Sequence, residues 1–454
     1  MLWKYVQSDF NMEKFIINGG KKLTGRVKVS GAKNVALKAL VAACLTDEPV
    51  IIENAPLISD FFVMKDIIEE IGGDVEIKDH TVRIQVKRVK KTKIELEKAA
   101  SIRTSSMFLA PLLARRSEAI IPNPGGCRIG ARPIDRVIDG LKQMGVSVEY
   151  DRSDGYFHAR IGSRRLKGCE YTFEKNTHTG TETLILSAVL AEGRTVLNNA
   201  ALEPEIDELI TLLNAMGAKV WREDDRKIII DGVLKLQGTT FAIGPDRNEV
   251  VTFAVAAAMT QGDIVIENVD QTGILVFLEK YTEAGGGFEQ LKEGLRFYYK
   301  GPLKNVDITT SPYPGFMTDW QGPWALLMTK AKGISVIHET VYENRFGYVS
   351  ELTKMGAHIE LFNPKVSSPA AFYNFNMEDD KKEFRHAAKI KGPVQLHNAV
   401  VSISDLRAGA TLVLASLAAK GESVVLGVER VDRGYEQFEK RLKTLGADIK
   451  RVKE

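Results

Sequence analysis

The chain has 454 residues, is 44% hydrophobic, and sets 62 Lys and Arg against 59 Asp and Glu for a net charge of only +3. That length exceeds one ordinary core and predicts two large domains, while the near balance of charge argues against a dedicated nucleic-acid or membrane-surface binder. No apolar run approaches the roughly 20 residues of a membrane span. Cys44, Cys127 and Cys169 are too few and too dispersed for a disulfide framework or a CxxC metal motif. The start, "MLWKYVQSDFNMEKF", has no apolar h-region after its positive charge, so no signal peptide is expected and a reducing cytoplasm fits best.

In chain order the sequence repeats one pattern six times: a helix rich in small residues, a turn, and a β-branched strand. The strands fall in "DEPVIIENAP", "SEAIIPNPGG", "GRTVLNNAAL", "GDIVIENVDQ", "GISVIHETVY" and "GESVVLGVER". Each is followed by a second amphipathic helix that ends at a glycine (Gly72, Gly145, Gly217, Gly285, Gly356, Gly446) and a short strand. In the third unit Ile206, Leu209, Ile210, Leu213 and Met216 occupy one helical face, and Gly217 supplies the left-handed residue that ends a helix. The interval between repeats is longer than that of a solenoid, so each unit is a small α/β module. Six modules cannot share one simple layer. Three per domain in two similar domains, with a ligand cleft between them, is the expected arrangement.

Several positions along these units carry chemistry. In "SGAKNVALKAL", Lys33 and Asn34 are predicted at the opening of a helix, where free N–H groups and the dipole favour an anion. "SIRTSSMFLAPLLARR" puts Arg103 at another helix start. "NPGGCRIGARPIDR" sets Cys127 on a Pro-Gly-Gly loop beside Arg128, Arg132 and Arg136, a setting that lowers a thiol pKa where guanidinium groups lie close; Cys44, inside "LVAACL", reads as core. Asp319, in "YPGFMTDWQGPW", is a loop carboxylate suited either to capping a helix or to general-base work. Arg345 in "ENRFGYVSEL" and Arg407 in "ISDLRAGATL" sit at or just before helix starts, an electrostatically odd position unless an anion lies between arginine and helix. The seven histidines show no metal-ligand spacing, and no GxGxxG or Walker motif occurs. These residues outline an enzyme for a phosphorylated carboxylic acid, with no metal or cofactor site evident.

"SGAKN", "PGGCRIGARPID", "EPEI", "ENRF", "SDLRAGA" and "DRGYE" together resemble the UDP-N-acetylglucosamine enolpyruvyl transferases (1-carboxyvinyltransferases), over nearly the whole chain. The resemblance implies an α/β enolpyruvyl transferase fold, with two similar domains each of three βαβ-containing units about a pseudo-threefold axis. It also implies a discontinuous partition, residues 1–33 plus 244–454 in one domain and 34–243 in the other. The implied partners are phosphoenolpyruvate and UDP-N-acetylglucosamine, with no cofactor, nucleic acid or membrane. Carried over by motif, Lys33 and Asn34 meet phosphoenolpyruvate and the sugar. Arg103, Arg132, Pro133, Ile134, Asp135 and Arg136 line the nucleotide-sugar, as do Thr177, His178, Thr179 and Gly180; Arg132 also lies near the phosphate. Asp319 faces the attacking hydroxyl, Val341 the sugar, and Arg345 and Arg407 hold carboxylate or phosphate oxygens. Cys127 is implied in protonation of the methylene carbon and in product release, and as the residue alkylated by the epoxide fosfomycin.

The spelling departs from the family's at "THTGTETLI", at Leu202 before "EPEI", at "DRNEVVTF" and at "LHNAVVSISDLR". Alternatives are a relative acting on another UDP-sugar, a non-catalytic UDP-sugar-binding regulator, and 5-enolpyruvylshikimate-3-phosphate synthase, whose first loop reads differently from "GAKNVAL" and which lacks the PGGC loop.

Overall fold

The structure, a computed structural model, describes residues 13–125, 129–131 and 133–453. All six predicted strands form, at Val50–Glu53, Glu118–Pro122, Arg194–Asn198, Asp263–Glu267, Gly333–His338 and Gly421–Leu426. Each has a parallel partner on one side and an antiparallel pair of strands on the other; in the first five units that pair is a hairpin, and in the last it is Glu13–Gly19 with Asp448–Lys453. Five sheets have four strands; in the sixth the parallel partner is reduced to a single bridge, Lys93 with Ile120. The helix foreseen from the spacing of Ile206 to Met216 runs Pro204–Ala215 with those five side chains buried, and Gly217 has φ +92°.

The sheets pack around helices that are buried over most of their length. Lys33–Ala43, Leu109–Arg116 and His178–Ala188 lie within one cluster of buried side chains, drawn from residues 32–243. Arg247–Met259, Gln321–Met328 and Leu406–Ala418 lie within another, drawn from residues 15–29 and 250–449. The alanine-rich runs "LVAACL" and "AVAAAM" allow such close approach of backbones. The N-terminal strands Glu13–Gly19 and Thr24–Lys28 pair with Gly421–Leu426 and Asp263–Glu267, so the chain starts in the sheets of the second cluster. It crosses to the first at residues 29–33 and returns at 243–247, and the two crossings are tied to each other: Ala32 N donates to Gly244 O at 2.8 Å, and Asp246 N to Ser30 O at 2.9 Å. Among the described residues no helix is long and apolar enough to cross a membrane.

Candidate active site

Two adjoining cavities open between the clusters, sharing Arg103, His178, Thr179, Asp319 and Tyr342. The first is lined by Pro133, Ile134, Asp135, Arg136, Thr177, Gly180 and Val341, all foreseen as nucleotide-sugar contacts. The second is lined by Lys33, Asn34, Arg345 and Arg407. Cys127 and Arg132 lie outside the described residues; the flanks of their loop are anchored on opposite sides, Gly125 N to Ala99 O at 3.3 Å and Ala131 N to Glu343 Oε1 at 2.5 Å.

The second cavity is cationic. Its walls hold Lys33, Lys38, Arg103, Arg345, Arg407 and Arg433 against Asp60, Asp319 and Asp405, an excess of positive charge suited to a small multiply charged anion. Lys33 opens helix Lys33–Ala43 as expected, with its Nζ 2.6 Å from Asp60 Oδ2. Asp60 also accepts from Arg433 Nε at 2.8 Å, so one buried carboxylate fixes two cations from different parts of the chain. Burial alone would raise its pKa; Lys33 and Arg433 outweigh that and hold it below the ordinary value. The arginines at helix starts are also explained. Asp405 caps helix Leu406–Ala418 by accepting from the backbone N–H of Arg407 and Ala408, and Arg345 Nη1 lies 3.2 Å from the same carboxylate. The anion between arginine and helix is thus a side chain of the protein itself.

Asp319 sits in a 3-10 turn, Thr318–Trp320, and caps neither that turn nor the helix after it. Its Oδ1 accepts from Arg407 Nε at 2.8 Å. Burial pushes its carboxyl up, but Arg407 and Arg345 prevail and hold it far below the usual carboxylate range. Arg407 in turn donates to Tyr435 Oη at 3.0 Å.

Sequence reasoning missed a charge network behind the shared wall. Glu182, fully buried, lies 3.1 Å from His178 Nε2 and 3.2 Å from Lys38 Nζ. Burial opposes the imidazolium, yet Glu182 and Glu203 raise the His178 pKa above its ordinary value. Nearby, Arg247 makes a two-pronged bond to Glu205, both contacts 2.9 Å. Lys38, His178 and Arg247 then balance Glu182, Glu203 and Glu205 when His178 is protonated. Glu182 is visible in "THTGTET", but nothing in the spacing points to Lys38 as its partner. Arg433 lies within "DRGYE" without a role, and Asp60 carries no signal of its own.

Paired three-unit domains around an anion-binding cleft are the architecture of the enolpyruvyl transferases. The chain superposes on the enolpyruvyl transferase NikO from Streptomyces tendae with a TM-score of 0.84 at 23% identity, covering 98% of this chain and 100% of that one. EPSP synthase from Acinetobacter baumannii follows the same fold at a TM-score of 0.72 and 18% identity, over 97% and 100% of the two chains. Residues 17–442 match the family described as EPSP synthase (3-phosphoshikimate 1-carboxyvinyltransferase), and the chain belongs to that family. Among its relatives, proteins named UDP-N-acetylglucosamine 1-carboxyvinyltransferase from Acidobacterium capsulatum and Koribacter versatilis are 42% and 41% identical, over 97% and 98% of this chain and 96% and 97% of theirs.

Proposed function

We propose that the protein transfers the enolpyruvyl group of phosphoenolpyruvate to the 3-hydroxyl of UDP-N-acetylglucosamine and releases phosphate, in the cytoplasm, as the first committed step of peptidoglycan synthesis. The observation that carries this reading is the junction of the two cavities. A cavity rich in cationic side chains meets one lined by Pro133 to Arg136 and Thr177 to Gly180, and Asp319 lines both. The domain reading that goes with it assigns 1–33 and 244–454 to one body and 34–243 to the other.

In this reaction the sugar oxygen bonds to the carbon that bears the phosphate while a proton is added to the methylene carbon; loss of phosphate and of a methyl proton then restores the double bond. Lys33, Arg345 and Arg407 hold the anionic groups and steady the charge that develops. Asp319 accepts the hydroxyl proton. Held below the ordinary carboxylate range, it is ionised at neutral pH but a weak base while Arg407 is its partner. A phosphate or carboxylate drawn to Arg407 competes for that guanidinium, and the pKa of Asp319 rises as it takes up its task. Cys127 is assigned the acid that protonates carbon, and Asn34, Arg103, Arg132 and Arg136 orient the two substrates.

The test is phosphate release from phosphoenolpyruvate with a panel of UDP-sugars and with shikimate 3-phosphate. Release that requires UDP-N-acetylglucosamine is expected. Release with another acceptor alone would reassign the substrate, and none with any acceptor would make the chain a binding protein.

A further inference from the structure

One hairpin of the repeat stands apart from the others. Strands Asp74–Lys78 and Thr81–Gln85 are joined by two residues, as are Lys219–Asp224 with Lys227–Asp231 and Gly287–Leu291 with Gly294–Tyr298; Val146–Asp151 and Tyr156–Ile161 are joined by four. In the fifth unit, strands His358–Phe362 and Ala387–Gly392 are joined by the 24 residues 363–386. The hairpin itself is intact, since Phe362 still pairs with Ala387. The excursion therefore does nothing that the strands require.

It is nonetheless built. Tyr373 and Phe375 are buried and stacked with ring centroids 4.8 Å apart, His338 Nε2 lies 3.1 Å from Tyr373 Oη, and Asn374 N donates to Thr340 O at 2.8 Å. From this footing the segment reaches across the cleft. Lys175 Nζ donates to Tyr373 O at 2.9 Å and Phe375 O at 2.7 Å. Asn374 Nδ2 donates to Asn176 O at 3.0 Å and Arg136 Nη2 to Asn376 Oδ1 at 2.8 Å. Asn374, Phe375, Asn376 and Asp379 thereby form a wall of the first cavity, facing Arg136 and the start of helix His178–Ala188.

We propose that residues 363–386 are a strap that reads the base of a uridine diphosphate sugar, with Asn376 and Asp379 as its specificity determinants. The inference rests on the proposed function in that the nucleotide enters the first cavity. With Asn376 Oδ1 engaged by Arg136, the amide N–H₂ remains to donate, and the Asp379 carboxylate accepts. A uracil ring offers the complement, an imide N–H between two carbonyls, whereas cytosine presents a bare nitrogen and an amino group on that edge. Arg136 links strap and nucleotide wall, so base recognition and the bridging of the cleft occur together.

Calorimetric titration of UDP and CDP, which needs no turnover, is the test, on wild type, Asn376→Ala, Asp379→Ala and a chain in which an Asn-Gly turn replaces residues 363–386. Loss of a charge-assisted bond predicts UDP binding weakened about tenfold or more in Asp379→Ala, and loss of a neutral one predicts about threefold to tenfold in Asn376→Ala, with a smaller preference over CDP in both. The KM for phosphoenolpyruvate and the melting temperature should stay unchanged. UDP affinity within about twofold of wild type in both point variants, or an equal rise in both substrates' KM values, overturns the proposal. If UDP-N-acetylglucosamine is not turned over but UDP binding still depends on Asn376 and Asp379, the functional reading fails and the strap stands. If UDP-N-acetylglucosamine is turned over while UDP binding is indifferent to both residues, the strap fails and the functional reading stands.

Discussion

Glu205→Gln is expected to weaken a buried ion pair that joins the two clusters. Glu205 lies on helix Pro204–Ala215 and Arg247 on helix Arg247–Met259, which belong to different cores. Both side chains are buried, and Arg247 also donates to Gly273 O at 3.1 Å. Burial raises the Glu205 pKa, but Arg247, with His178, overrides this and lowers it from 4.5 to about 2. At about 1.4 kcal/mol per unit, the carboxylate contributes about 3 kcal/mol at neutral pH, close to the usual cost of breaking a buried pair. For domains of this size that is a fall of roughly 6–12 °C in melting temperature. The sign follows from the depressed pKa: the contribution is complete above the unfolded value and is lost as pH falls through the folded one. By pH 3 less than half remains, so wild type and variant should converge on acidification. Calorimetric scans of both proteins from pH 7 to pH 3 measure this. Equal melting at pH 7, or a gap that does not narrow on acidification, would refute the reasoning.

In the proposed reaction Asp319→Asn should keep both substrates bound but lose about 10²–10⁴ in kcat, since an amide takes no proton; unchanged kcat removes Asp319 from the chemistry. Arg407→Ala should raise the KM of phosphoenolpyruvate well above its effect on the UDP-sugar, and an equal rise in both would mark the arginine as structural. His178 has a raised pKa in the fold, so its stabilisation is full below the unfolded value of about 6.5 and is lost as pH rises through the folded one. Glu182, Glu203 and Lys38 are the charges that face it, and as pH rises above the unfolded value the thermal stability of wild type should fall more than that of His178→Gln, as melting curves will record. A phosphonate-bearing epoxide should label Cys127 alone. Cys44 is fully buried with its thiol pushed up to about 12, and burial raises Cys169 too. Mass spectrometry that finds the label on either of those, or on Cys127→Asp, refutes this.

The repeat is legible because it is written in local physics. Period-two strands, a helical face from Ile206 to Met216 and a glycine at each helix end are readable without knowing any contact. The cationic residues are legible as members of motifs, and the cavities collect those that are described. What stays hidden depends on long-range pairing. Asp60 is an unremarkable aspartate until the fold brings Lys33 and Arg433 to it, and Lys38 lies on a helix that turns out to be buried from Val35 to Ala43. The "EPEI" motif stands out as a spelling, but its reason, the bond from Glu205 to Arg247, spans 42 positions. The strap is hidden because its residues serve the opposite wall of the cleft rather than the strands they join.

One design runs through these contacts: Lys33, Arg345, Arg407 and Arg433, which line the second cavity, are each already held by a carboxylate of the protein. Asp60 holds Lys33 and Arg433, Asp405 holds Arg345, and Asp319 holds Arg407. An unpaired buried cation would cost several kcal/mol and destabilise the cleft. Full neutralisation would leave nothing with which to attract an anion. The arrangement meets both demands because the bonds are shared unequally. Asp60 is bound from two sides and enclosed, so it serves as scaffold. Asp319 is 30% exposed along its side chain and is tethered through Arg407. In the proposed reaction an incoming anion would therefore displace Asp319 more readily than Asp60, and the carboxylate released first would be the one that lines both cavities, where that reaction needs an acceptor for the hydroxyl proton.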